Sequence, residues 1–273
     1  MTVVRTQAVD AAHAEGYRGT FAAGQSPLTA SGALPPAWEG ILFPFAVPFA
    51  DLRPDGTPAR DGILPEIDLP RRMYAGEDTV FEAPLRIGDD VTQAARAGTL
   101  TEKSGARGRL VFADIERTFA VGGRVVARST WHDVFLGAAD GPPRPPRIDS
   151  AAVADADWIE LVHLDARHLF RFSALTGNTH LVHYDRRWAQ DVEGLADLLV
   201  HGPLLRILMA DAARRHAGGR RMTALSVRMT APAFVDTDIR LCGSAEASRV
   251  LAVGPGDEVL ATAEIAFSDA GAF

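Results

Sequence analysis

Cysteine is nearly absent from this chain. Cys242 stands alone among 273 residues, which excludes an intrachain disulfide and any cysteine-based zinc site. Lysine is equally scarce, with Lys103 the single one, so arginine carries nearly all the basic charge; this reads as high-GC codon usage rather than as function. Basic charge is also short overall. The net charge is −7 and the pI near 5.6, against the basic face that nucleic-acid binding requires. No run of 18 apolar residues exists, so no membrane span is expected. The start, MTVVRTQAVDAAHAEGYRG, lacks the apolar core of a signal peptide. A cytoplasmic protein without nucleic-acid or membrane partners is the expectation.

What the chain does have is histidine, concentrated in one region. Six of the eight His lie between His163 and His216. Asn178, His180 and His183 fall within six residues in FSALTGNTHLVHYD (172–185), and His201 precedes a Gly-Pro in VHGPLL (200–205). Histidine titrates nearest neutrality, so such a cluster points to proton transfer. A metal site from His180, His183 and Asp185 is conceivable by spacing, but none is expected.

At 47% hydrophobic residues the chain can fill a core, as one large domain or two ordinary ones. Residues 1–35 read as largely irregular, with weak helical character near Val9–Glu15. The stretch 51–70, DLRPDGTPARDGILPEIDLP, reads as a loop. Asp78–Phe81 leads by a turn into a strand. Val91–Glu102, Arg109–Phe119 and Arg124–Phe135 read as long antiparallel strands, the last two joined at Val121-Gly122-Gly123. The Pro-rich GAADGPPRPPR (137–147) reads as a linker. Beyond it, the apolar run from Pro203 to Arg215 predicts a helix buried on most sides, stopped by Gly218-Gly219. Thr223–Met229, Asp238–Ala247, Arg249–Val253 and Glu258–Phe267 follow as strands. PLRIGDDV (84–91) and APAFVDTDIRL (231–241) enter their strands alike, which suggests a repeated α+β unit with a curved antiparallel sheet around a helix.

FSALTGNTHLVHYDRRWA with VHGPLLRILMADAAR resembles the MaoC-like hydratases, which have a hotdog fold. LPPAWEGILF (34–43), LPRRMYAGEDTVFEAPLRIGDDV (69–91) and EKSGARGRLVFADIERTF (102–119) resemble the amino-terminal half of double-hotdog enzymes of the mesaconyl-CoA and itaconyl-CoA hydratase type. The resemblance implies an α+β double hotdog. Its parts would be a non-catalytic, substrate-binding half (1–136), a linker (137–150) and a catalytic half (151–273). It also implies a hydro-lyase that reversibly adds water to a 2-enoyl thioester of coenzyme A or acyl carrier protein, as a monomer or homodimer. No cofactor is implied beyond the coenzyme A or phosphopantetheine of the substrate.

In that pattern an Asp follows the Gly and a His comes five residues later. Here Gly177 and His183 match, while Asn178 holds the Asp position, and an amide cannot act as a base. The resemblance then gives His183 the acid/base role, Asn178 the orientation of water, and His180 or Asp185 the second proton transfer. Gly202, at a helix start, would offer its N–H to the thioester oxygen. His201 is read as fixing the helix entrance or touching substrate, and Tyr184 and Trp188 as core or pocket wall. Mesaconyl-type enzymes carry an Arg where this chain has Leu181. Arg206 could replace it as partner of a substrate carboxylate, pair with Asp211, or reach the helix surface. Arg71 and Arg72 are candidates for the coenzyme A phosphates, or an ion-paired surface. The alternatives to a dicarboxylyl-CoA hydratase are a biosynthetic 3-hydroxyacyl dehydratase, an inactive thioester-binding hotdog protein and, third, a thioesterase.

Overall fold

Ten strands form one antiparallel sheet whose order repeats around its middle. The computed structural model describes residues 1–22, 24, 32–59, 61–105, 108–138 and 145–271. Along the chain come β1 (Thr2–Ala8), α1 (Ala11–Phe21), β2 (Arg71–Phe81), β3 (Asp90–Gly105), β4 (Gly108–Val121) and β5 (Arg124–Leu136). Then follow α2 (Ser150–Ala154), β6 (Trp158–His163), α3 (Ala166–Thr176), α4 (Gly202–His216), β7 (Arg220–Met229), β8 (Asp238–Gly243), β9 (Arg249–Val253) and β10 (Val259–Gly271). The strand order is β1-β3-β4-β5-β2-β7-β10-β9-β8-β6. Each set of five strands has the same internal order, and the two sets join where β2 pairs with β7, Gly76 opposite Arg228 through Val80 opposite Ala224. The middle of the linker expected at 137–150, residues 139–144, lies outside the described residues.

The helix expected from Pro203 to Arg215 is α4. Pro203 suits a helix's first turn, where its missing N–H costs nothing. Every residue from Leu204 to Ala213 is buried. α4 packs on β2, β7, β8, β9 and β10. Among the described residues, the first half packs the 3-10 turn Trp38–Ile41 against α4. Trp38 is fully buried, and its indole N–H donates to the Asp211 carboxylate at 3.1 Å. One long helix and one residual turn therefore share the core.

The amino-terminal region is more ordered than its composition suggests. Residues 2–8 alternate exposed and half-buried along the sheet edge, paired with β3 from Thr2 opposite Arg96 to Ala8 opposite Asp90. Asp10 then caps α1, accepting from the His13 N–H at 2.8 Å. β2 begins at Arg71, seven residues before the expected start, because its first residues pair with the end of β5.

Candidate active site

The histidine loop starts where α3 stops. Gly177 caps α3 in the left-handed region (φ 60°), and its N–H returns to the Ser173 carbonyl. Asn178 N–H reaches the same carbonyl at 3.0 Å. The Asn178 Oδ1 accepts from His180 N–H at 3.0 Å, which leaves its Nδ2 hydrogens to point elsewhere. A single turn, Leu181–His183, follows.

A loop from the other half grips this one. Leu181 N–H donates to the Asp55 carbonyl at 2.8 Å, and the Thr179 hydroxyl to the Gly56 carbonyl at 2.7 Å. Gly56 has φ +84°, and a Cβ there would lie 1.9 Å from the Thr179 oxygen. Only glycine satisfies both the turn and the approach.

Between the halves lies a cavity of about 690 Å³, lined by Asn178, His180, His183, Gly202, Arg71 and Arg72 among a mostly apolar wall. Its size suits a small-molecule site. His183 Nδ1 is 2.8 Å from the Leu199 carbonyl. A carbonyl only accepts, so Nδ1 carries the hydrogen and Nε2 keeps a lone pair. The His183 ring stacks on His201 at 3.5 Å between centroids and 19° between planes. His201 in turn meets the Ser173 hydroxyl through Nε2 at 2.9 Å. Burial, with His180 nearby, pulls the His183 pKa down to about 3. Burial with His183 and His180 pushes His201 well below its usual range. Burial, then Arg53, Arg71 and Arg72, lower His180 to about 4. All three imidazoles are neutral at pH 7.

Gly202 opens α4 on the cavity wall, where the first N–H groups of a helix have no acceptor within it. A Cβ on Gly202 would sit 2.4 Å from Tyr74 Cδ1, and Tyr74 also lines the cavity. The ring thus packs directly against the helix start.

Five expected site residues stand elsewhere or are already engaged. Arg206 is buried and turned to the first half, where it donates to Glu39 and the Thr79 hydroxyl at 2.7 Å, with Glu77 3.6 Å away. It pairs neither with Asp211 nor with anything in the cavity, because those carboxylates occupy its guanidinium and hold its pKa up against desolvation. Asp185 is exposed, does not line the cavity, and accepts from Trp188 N–H at 3.0 Å as a local cap. Tyr184 is 47% exposed and donates to the Thr179 carbonyl. Arg72 lines the cavity but is bound to Asp133 at 2.7 Å and Asp61 at 3.1 Å. Arg71 also lines it, with Nε on Glu193 at 2.6 Å. Leu181 does not line the cavity, so its contrast with Arg at that position does not bear directly on substrate.

Sequence reading missed Asp55. It lies in the Pro/Gly-rich stretch whose composition signals only a loop, and nothing local ties it to residues 178–183. Asp55, His180 and Glu193 are buried, with one potential ligand atom each within 4.8 Å of the others. Such a trio has the residue types of a cation site. Arg71 on Glu193, with Arg53 and Arg72 near His180, opposes a dication there.

Four similarities bear on this geometry. Residues 38–235 match the model of the family Hydroxyacyl-thioester dehydratase type 2. A mesaconyl-C(4)-CoA hydratase of Chloroflexus aurantiacus is 36% identical over 222 residues, covering 81% of this chain and 79% of that protein. In fold, the chain resembles a MaoC-like dehydratase from Phytophthora capsici (TM-score 0.69, 18% identity, 98% of this chain and 95% of that one). It also resembles a double-hotdog protein of Mycobacterium tuberculosis (TM-score 0.63, 13% identity, 98% and 95% covered).

Proposed function

The chain belongs to the hydroxyacyl-thioester dehydratase type 2 family and is a hydro-lyase of acyl thioesters; from that premise we propose that it interconverts a short 2-enoyl-CoA and its 3-hydroxyacyl-CoA with His183 as the acid/base. The observation that carries this is the His183 tautomer. With Nδ1–H held by the Leu199 carbonyl, Nε2 is the proton acceptor of a neutral ring on a cavity that also contains Asn178 and the start of α4.

In hydration, Asn178 Nδ2 holds the water oxygen. Nε2 of His183 takes one water proton as that oxygen bonds to C3. The C2–C3 π electrons move toward the thioester carbonyl, whose oxygen gains negative charge. Gly202 N–H and the positive end of α4 stabilise that charge, a contribution of ~2.7–4 kcal/mol when such a donor is removed from other enzymes. The His183 imidazolium then gives its proton to C2, so H and OH are both added and the ring is neutral again. Dehydration is the reverse. His180 faces the same water as a second polar group, and His201 holds the His183 ring in place.

The substrate class proposed is a branched C4–C5 dicarboxylyl-CoA, supported by the mesaconyl-C(4)-CoA hydratase relative and by Arg71 on the cavity wall. Arg71 is the partner assigned to the free carboxylate. A second reading, an uncharged 3-hydroxyacyl thioester, is favoured by the apolar wall of Phe45, Phe112, Leu110 and Leu195 and by the ion pairing of both cavity arginines.

Loss of enoyl-thioester absorbance with mesaconyl-, itaconyl- and crotonyl-CoA tests both. Wild type is expected to turn over a dicarboxylyl-CoA, and His183→Ala to lose about 10²–10⁴-fold in kcat. Arg71→Gln is expected to raise KM for the dicarboxylyl-CoA and leave crotonyl-CoA unaffected. Turnover of crotonyl-CoA alone selects the second reading. No turnover by folded protein refutes both for CoA substrates.

A further inference from the structure

The histidine loop contains Asn178 where a carboxylate would be expected, yet a carboxylate does approach it from the other half of the chain. Asp55 is 4% exposed and sits in the loop that grips Thr179 and Leu181. Its two oxygens differ. Oδ1 accepts from Thr57 N–H at 2.8 Å and from the Thr57 hydroxyl at 2.7 Å, which closes the turn. Oδ2 is buried with no partner. His180 is 7% exposed, and its Nε2 is likewise buried and unpartnered. A carboxylate oxygen of Asp55 and a ring nitrogen of His180 lie within 4.8 Å. Two buried groups of complementary type, each lacking a bond, are a costly arrangement unless they bond to each other.

The other charges around His180 are accounted for. Glu193, within the same 4.8 Å, is bound by Arg71. Arg53 donates to the Leu69 carbonyl at 2.6 Å, and Arg72 is bound by Asp133 and Asp61. The His183 ring is edge-on to His180 at 5.5 Å. Asp55 is therefore the carboxylate of the trio left for the imidazole.

We propose that Asp55 is a positioning residue that accepts the ring N–H of His180, fixing the tautomer in which the other ring nitrogen presents its lone pair to the cavity. That nitrogen accepts the second hydrogen of the water, whose first hydrogen passes to His183. The oxygen is then held by Asn178 and by two imidazole acceptors, and its lone pair is directed at C3. The role rests on the hydratase reading above, and it extends the machinery to a residue about 125 positions upstream. The distance along the chain explains why the loop motif gave no sign of it.

Three Asp55 variants separate this role from turn closure. Asp55→Asn keeps Oδ1 for Thr57 but turns an N–H donor toward His180, which forces the opposite tautomer. Asp55→Ala loses the turn bonds but imposes no tautomer. A positioning role predicts the kcat order Asp > Ala > Asn, with Asn reduced about 100-fold and KM changed less than threefold. A purely structural role predicts Asp ≈ Asn > Ala, and that order overturns the proposal. Long-range ¹H–¹⁵N correlation of His180 gives a readout that needs no turnover. The wild type is expected to hold its hydrogen on one ring nitrogen and Asp55→Asn on the other. An unchanged His180 pattern in folded Asp55→Asn overturns the proposal even if no thioester tested is a substrate. If the tautomer switches while wild type turns over nothing, the hydratase reading has failed and the Asp55–His180 pairing stands.

Discussion

His183 lies flat on His201, ring centroids 3.5 Å apart, with both rings buried. Neither ring can take up a proton without placing a cation against its neighbour in a dry site, so the stack stores a pH dependence. Unfolded histidines protonate near pH 6.5, whereas in the fold His180 and His183 stay neutral down to about 4 and 3, and His201 also resists protonation. Below pH 6.5 the unfolded chain thus binds more protons, and stability falls as pH falls. Each such histidine contributes a slope of about 1.4 kcal/mol per pH unit. The midpoint of thermal unfolding is expected to be flat from pH 7 to 8 and to drop steeply from 6.5 toward 4. His201→Gln is expected to make that drop shallower by about a third of the histidine contribution, measured by urea unfolding at successive pH values.

Gly202→Ala tests the helix start. The added methyl would meet the Tyr74 ring at 2.4 Å, so either the ring or the first turn of α4 moves. Overpacking of this kind costs about 1–3 kcal/mol. Displacing the N–H assigned to the thioester oxygen is expected to lower kcat by about 10²-fold. A variant with full kcat would remove Gly202 from the oxyanion role.

Arg206 is a charge that holds the halves together. Arg206→Met leaves Glu39 buried without its cation and Glu77 with Arg117 alone, and breaking a buried pair costs about 3–5 kcal/mol. A correspondingly lower urea midpoint is expected. Among molecules that remain folded, the ratio of KM for mesaconyl-CoA to KM for crotonyl-CoA should not change, since the guanidinium faces away from the cavity. A selective loss for the dicarboxylyl-CoA would show that Arg206 reaches the substrate.

Gly56→Ala would push a methyl into the Thr179 carbonyl at a backbone angle that disfavours any side chain. The loops bearing Asp55 and His180 should separate. Activity is expected to fall at least as far as in Asp55→Ala, with faster amide hydrogen exchange at Leu181, whose N–H is bonded to Asp55.

The long strands, the buried helix and the His loop were legible because each is a local pattern. The alternation in β4 and β5, the apolar run of α4 and the Gly-x5-His spacing all fit within a window of about fifteen residues. β1 was missed because an edge strand with one half-buried face has little hydrophobic contrast, and a neighbouring strand stabilises it. Arg206 was identified as a charge needing a partner, but Glu39 and Glu77 lie more than 120 positions away and no local spacing points to them. Asp185 looked suitable beside His183, but the turn directs it outward to cap Trp188 N–H. Asp55 was hidden for the same reason as Glu39: it belongs to a contact between halves.

The pairing of β2 with β7 also has a consequence during synthesis. Within the first five strands β2 is an edge, and its partner begins at Arg220, about 140 residues after Phe81. At about 5–20 residues per second the ribosome leaves that edge open for roughly 7–30 s. An open edge invites pairing with other nascent chains. Glu77 and Asp78 sit on it, and in the finished protein they are neutralised by Arg117 and Arg206 and by Arg228. Only Arg117 of these belongs to the strands already made. Asp78 therefore stays on the open edge without its arginine until β7 arrives with Arg228.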